Sequence, residues 1–109
     1  MSQELIEAVR NKKIDSVRKF IADGFDLEYC DNKKMTALSH CCEVQSLDIL
    51  KILVEAGANV NHKDELGYRP IDIAGWYGEY RNGAYTKQCL DIIAYLKEHG
   101  GESFNKKSQ

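Results

Sequence analysis

The sequence predicts an all-α fold, a solenoid of helix-turn-helix units joined by short extended loops. Three observations carry that expectation. The chain matches itself when shifted by 33 residues. Each repeat shows the apolar spacing of two short helices. A glycine closes each repeat, at Gly24, Gly57 and Gly100. A period of this size marks stacked supersecondary units, each of which buries its apolar face only against a neighbour.

The register is specific. Asp23-Gly24-Phe25-Asp26-Leu27-Glu28 falls on Ala56-Gly57-Ala58-Asn59-Val60-Asn61. Leu5, Leu38 and Ile71 share one position, as do Ala8, Cys41 and Ala74. Val17 falls on Leu50, and Asp31 on Asp64. The units run over about residues 4–31, 32–64 and 65–101, within a single domain spanning 1–101. Residues 102–109 read as a polar tail that frays from Gly101 onward.

The middle unit shows the logic best. Thr36 can cap a helix over Ala37–Cys42, with Leu38, Cys41 and Cys42 as its stripe. Glu43-Val44-Gln45-Ser46 breaks the pattern, and a second helix follows over Leu47–Glu55. Its apolar side is widened by Ile49, Leu50, Leu53 and Val54. Gly57 stops it in a left-handed cap. Asn59 to Gly67 is short, polar and extended, and ends in a glycine turn. Helices this short do not stand alone in water, so the units must lean on one another.

The third unit departs in length. From Gly24 to Gly57 is 33 residues, but from Gly57 to Gly100 is 43. Matching Leu90-Asp91-Ile92-Ile93 to Leu47-Asp48-Ile49-Leu50 places ten extra residues around Gly78–Gln88. Either a loop or longer helices would absorb them. Trp76, Tyr77, Tyr80, Arg81 and Tyr85 crowd into this stretch. These are the residue types that most often dominate binding energy.

Composition narrows the function classes. The 109 residues are 43% hydrophobic and 29% charged, with Pro70 the only proline, a globular mix. Lys+Arg number 15 against 17 Asp+Glu, and the net charge of -2 is spread without a long basic run. Nucleic acid and anionic membranes are therefore not expected partners. Met1–Glu7 is polar and lacks the apolar core of a secretory signal, and no stretch is long enough to span a bilayer. The expected location is cytoplasmic. Cys30, Cys41, Cys42 and Cys89 then read as reduced thiols.

With the repeat established, the middle unit resembles the ankyrin consensus closely. The resemblance lies in Met35-Thr36-Ala37-Leu38-Ser39 and in Leu53-Val54-Glu55-Ala56-Gly57-Ala58-Asn59-Val60-Asn61. Gly67-Tyr68-Arg69-Pro70-Ile71-Asp72-Ile73-Ala74 looks like the opening of a third repeat. The resemblance covers roughly residues 4–101 and implies an ankyrin-repeat solenoid. Departures accompany it. The first unit enters its helix directly near Glu4 and carries Lys12 at the glycine-turn position, like an N-terminal cap. Ala37 and Ser39 replace the usual Pro and His of the opening, and Arg69 and Asp72 replace Thr and His. Both openings are expected to lose some of the usual side-chain hydrogen bonds.

The resemblance implies a protein-binding module, monomeric when free, that inhibits or sequesters one protein partner. An immunity protein that neutralises a toxin is one form of this. By register, the binding tips are Asn32, Lys33 and Met35, then Glu65, Leu66 and Tyr68. The inner helical ends are Arg10 and Asn11, Glu43 and Val44, then Trp76 and Tyr77, with Tyr80, Arg81 and Tyr85 on the insertion. The competing reading packs Trp76 and Tyr77 under the insertion as a satellite core.

Chemistry beyond binding finds little support. His40-Cys41-Cys42 with Cys30 and Cys89 invites a metal or redox sensor, but adjacent cysteines lack the chelating gap that zinc sites use. Cys41 and Cys42 fall where ankyrin repeats carry small core alanines, and buried cysteine behaves as a small hydrophobe. No phosphate loop and no nucleophile–base–orienter set can be assembled, so neither a catalytic residue, a cofactor nor a metal is expected. His99 in a last helical turn suits the dipole. Asn61 sits where animal ankyrin repeats are often hydroxylated; the residues themselves favour a loop-bracing role. A third alternative is a scaffold piece associating through its last helix, Cys89–Lys97.

Overall fold

Apolar residues at three- and four-residue intervals, closed off by capping residues and left-handed turns, produce two helices in each unit. The computed structural model describes residues 3–79 and 83–103. Its helices are α1 (Gln3–Arg10), α2 (Ile14–Ala22), α3 (Ala37–Val44), α4 (Leu47–Glu55), α5 (Pro70–Gly78) and α6 (Lys87–Glu98). No named strand occurs among the described residues.

The ends of the helices follow from their side chains. Thr36 accepts a hydrogen bond from the Ser39 N–H at 3.3 Å and opens α3 as expected. Ser46 accepts from Ile49 N–H, and Thr86 from Cys89 N–H, in the same way. Each such cap is worth about 1 kcal/mol. Helix α3 runs two residues past the expected end at Cys42, because the left-handed residue that turns the chain is Gln45 (φ 61°). Lys12 holds the equivalent left-handed turn in the first unit at φ 57°. Gly24, Gly57 and Gly100 all adopt positive φ, at 85°, 102° and 90°. Their amides donate to Ile21, Val54 and Lys97 in three equivalent closures.

Stacking puts α1, α3 and α5 in one row and α2, α4 and α6 in a second. The molecule is elongated, 40 × 24 × 24 Å. The positions matched by register are the ones that fill the core. Leu5, Leu38 and Ile71 are buried, as are Ala8, Cys41 and Ala74, and Val17 and Leu50. In α4 the fully buried residues are Ile49, Leu50 and Leu53, while Val54 is half-buried. Deleting one such leucine side chain would cost about 2–5 kcal/mol, a large part of a small domain's stability.

The extended loops turn through equivalent tips. The Asp31 N–H donates to Met35 O at 3.1 Å, and the Asp64 N–H to Tyr68 O at 2.9 Å. Asp31 Oδ1 accepts from the Lys33 and Met35 amides, and Asp64 Oδ1 from those of Leu66 and Tyr68. The tips are joined, with Glu65 N–H donating to Lys33 O at 3.0 Å.

One expectation is corrected, that the tail frays from Gly101. The openings keep some side-chain bonds in spite of the replacements. Thr36 and Ser39 hydroxyls lie 3.2 Å apart, and Asp72 accepts from the Arg69 N–H at 2.9 Å. The tail is not free from Gly101, because Arg69 pairs with Glu102 at 3.1 Å and the Ser103 hydroxyl donates to Asp72 at 2.7 Å. Asn61 completes the tie, donating to Gly100 O and accepting from the Glu102 N–H. This is the bracing role read from its position.

The ten extra residues of the third unit are divided. Helix α6 begins at Lys87, three residues upstream of Leu90, the residue matched to the first residue of α4. The rest form the connection from Glu79 to Thr86, with an antiparallel bridge pairing Glu79 and Tyr85. The Thr86 N–H donates to Gly78 O at 3.1 Å and closes its base.

Candidate interaction surface

The inner row of helices and the loop tips leave two adjoining concavities. One, of about 540 Å³, lies among the C-terminal ends of α1, α3 and α5. Arg10, Asn11, Glu43, Val44 and Tyr77 line it, so residues nominated from three different units do come together. The second is an open groove of about 960 Å³ that runs between the tips and α5 and on toward α6. Lys33, Glu65, Leu66, Tyr68, Trp76, Tyr77 and Tyr85 lie along it. Glu43 and Tyr77 border both.

The aromatic residues are on show. Trp76 is 77% exposed and Tyr77 52%, so they form no satellite core. Both sit on the last turns of α5, where no helix of the stack covers them. Leu66, at the tip, is 72% exposed, and Tyr68 and Tyr85 are exposed elsewhere along the same groove. Asn32 and Lys33 are exposed and Val44 is half-buried. Asn32 lines neither concavity. Met35 differs from its expected role: it is only 9% exposed and packs into the core, touching the groove from below. Its amide is held by Asp31 just as that of the exposed Tyr68 is held by Asp64, so the difference lies in the side chain, which joins the core cluster. Tyr80 and Arg81 lie outside the described residues.

One arrangement was not anticipated from the sequence. His40 is buried, and its ring stands between two carboxylates. Nε2 is 2.7 Å from Asp31 Oδ2, and Nδ1 is 2.8 Å from Glu43 Oε1. Carboxylates accept only, so both are satisfied when both ring nitrogens donate. Glu43 lies beside Tyr77 on the wall of the first concavity. A line of polar contacts therefore runs from the first loop tip to the end of α3. Burial pushes the Asp31 carboxyl up. Hydrogen bonds from His40 and the Met35 and Lys33 amides, with the charge of His40, more than offset that and hold it below its ordinary value. Tyr77 is pushed up by burial and by the Glu43 charge. The three-residue spacing of His40 and Glu43 on one helical face was legible in the sequence. Asp31, nine residues away across a turn, was not.

The cysteines behave as core residues. Cys41, Cys42 and Cys89 are fully buried, and burial pushes all three thiols up, away from the reactive thiolate. Cys41 donates to Ser46 O and Cys89 to Ala74 O. Cys30 is half-buried in its loop, and all four cysteines are free. Among the described residues no group of three or more His, Cys, Asp or Glu side chains is placed to hold a metal ion. No helix of the described residues is long and apolar enough to cross a membrane.

Comparison with known proteins agrees with this architecture. A family profile described as ankyrin repeats (3 copies) matches residues 5–108. The human BCL-6 corepressor-like protein 1 is 45% identical over 80 residues, 73% of this chain and 4% of that protein. A protein of Rickettsia bellii (strain RML369-C), named for its ankyrin repeats, is 31% identical over 58 residues, 53% of this chain and 34% of its own length. The chain thus spans a minor part of both relatives.

Proposed function

The chain belongs to the ankyrin-repeat family, whose repeats are protein–protein interaction modules, and on that premise we propose that it grips one protein partner and acts by occluding or holding it. The observation that carries this reading is the exposure of Trp76, Tyr77, Leu66 and Tyr68 along one groove on a braced scaffold. Aromatic anchors on rigid helices supply contact area at small entropic cost. Asn32, Lys33, Val44, Glu65, Tyr80, Arg81 and Tyr85 are proposed as the surrounding contacts. Met35 acts from beneath, by setting the shape of the tip. Binding is the output, in the cytoplasm, with no chemistry performed on the partner. Neutralisation of a toxin is one form that such occlusion takes.

A redox or metal sensor is the weaker reading, because three of its four thiols are buried and kept protonated. A scaffold role through α6 draws on the exposure of Leu90 alone. The test is capture of a partner from the source cells with immobilised protein, repeated with the Trp76→Ala/Tyr77→Ala double variant. One specific protein, lost with the variant while its helical content is unchanged, is the expected result. A partner retained equally by the variant would refute the groove as the binding surface.

A further inference from the structure

The two inner concavities are lined by side chains of unequal sign. Six carboxylates face them, from Glu7, Glu43, Asp64, Glu65, Asp72 and Glu79. Among the described residues three cations do, Arg10, Lys33 and Lys97. The whole chain carries a net charge of -2. The described lining therefore holds more negative charge than the entire molecule, and the remainder is close to balanced. Glu7, Glu65 and Glu79 are solvent-exposed. Glu43 is partly balanced by His40 behind it. Asp64 accepts from backbone amides, and Asp72 from the Arg69 amide and the Ser103 hydroxyl, all neutral donors.

The carboxylates alternate with exposed aromatic faces. Tyr68 follows Glu65 on the second tip, Trp76 and Tyr77 stand on α5, and Tyr85 pairs across the bridge with Glu79. An aromatic face attracts a cation through its quadrupole, and a neighbouring carboxylate reinforces that attraction. The same walls would repel an acidic segment.

We infer that the partner presents to this groove a cationic amphipathic segment, with lysine or arginine beside an apolar anchor. This rests on the binding-surface reading above and specifies its ligand. The apolar anchor lies over Trp76 and Leu66, and the basic side chains reach Glu65, Glu79 and the Glu43–Tyr77 pair. Steering by the negative lining speeds the encounter, and raised salt slows it.

Trp76 is the only tryptophan of the chain, so its emission reports occupancy directly. The probes are two synthetic amphipathic peptides of one pattern, built from leucine and lysine or from leucine and glutamate. The leucine–lysine peptide is expected to shift the Trp76 emission saturably to the blue. Its affinity should fall by about fivefold in the Glu65→Lys/Glu79→Lys double variant, as two exposed ion pairs are reversed. Both sites are exposed, and an unchanged urea midpoint confirms that the variant folds. Equal binding of the two peptides, or preference for the glutamate one, ends the charge proposal but leaves the groove as a binding surface. No response to either peptide, or a lysine preference untouched by the double variant, also overturns it.

Discussion

Replacing His40 tests whether its bridge organises the inner surface. Leucine is the informative substitute, because Ile73 occupies the equivalent place in the third unit and is buried there without polar partners. His40→Leu removes contacts of 2.7 Å and 2.8 Å to charged groups. Such bonds contribute about 1.5–3 kcal/mol each when the partner is left bare. Neither partner is left bare here. Asp31 keeps the Lys33 and Met35 amides, and the two carboxylate side chains are 26% and 24% exposed and so keep access to water. The combined loss is therefore about 1–3 kcal/mol, below the value for a fully buried broken pair. Burial of the leucine returns about 1–2 kcal/mol. His40→Leu should thus cost no more than about 2 kcal/mol, and His40→Ala, which adds a cavity, about 2–4 kcal/mol. Urea unfolding at neutral pH measures both. The decisive quantity is the coupling with Asp31→Asn in a double-mutant cycle, expected near 1 kcal/mol. A coupling below about 0.3 kcal/mol, within the error of additive distant sites, would show that the bridge is incidental.

Three further outcomes follow from the same structure. Because the Asp31 carboxyl is held below its ordinary value in the fold, it contributes stability above about pH 4, its unfolded value, and loses it as the pH falls through the folded value. The acid limb of a pH–stability curve should therefore flatten in Asp31→Asn, and an unchanged limb would contradict the assignment. A thiol reagent at neutral pH should modify Cys30 before Cys41, Cys42 and Cys89, which react only on unfolding; mass spectrometry of the native protein decides this. Gly78→Ala should destabilise by about 1–3 kcal/mol in thermal or urea unfolding, because a new Cβ would press on the Cys89 side chain and on Gln45 Oε1; a neutral effect would mean that α6 yields there.

The fold was readable because its determinants are local and repeat. Leu5, Leu38 and Ile71 are buried at one register position because the same stacking problem is solved three times. The same holds for the glycines at positive φ. What escaped the sequence depends on contacts between separate turns. The Asp31–His40–Glu43 line requires the loop to fold back over α3, and no spacing rule encodes that return. The anchoring of Glu102 and Ser103 was missed for a related reason: a polar composition reads as fraying unless its partners, Arg69, Asp72 and Asn61, are known to be adjacent. Met35 was placed at the tip by register, but register groups it with the exposed Tyr68 and does not tell that its side chain joins the core cluster. Trp76 went the other way. Its size argues for burial in general, yet its register position matches Glu43, a half-buried surface site.

The closed base of the third unit's connection separates two evolutionary problems. The Thr86 amide returns to the Gly78 carbonyl, so the chain leaves α5 and re-enters α6 at nearly the same point whatever lies between. Closing a longer loop costs little, about 0.6 kcal/mol per doubling. Changes of length between Gly78 and Thr86 are therefore expected to leave the neighbouring helices in register, which makes this connection the natural place to insert or graft a segment.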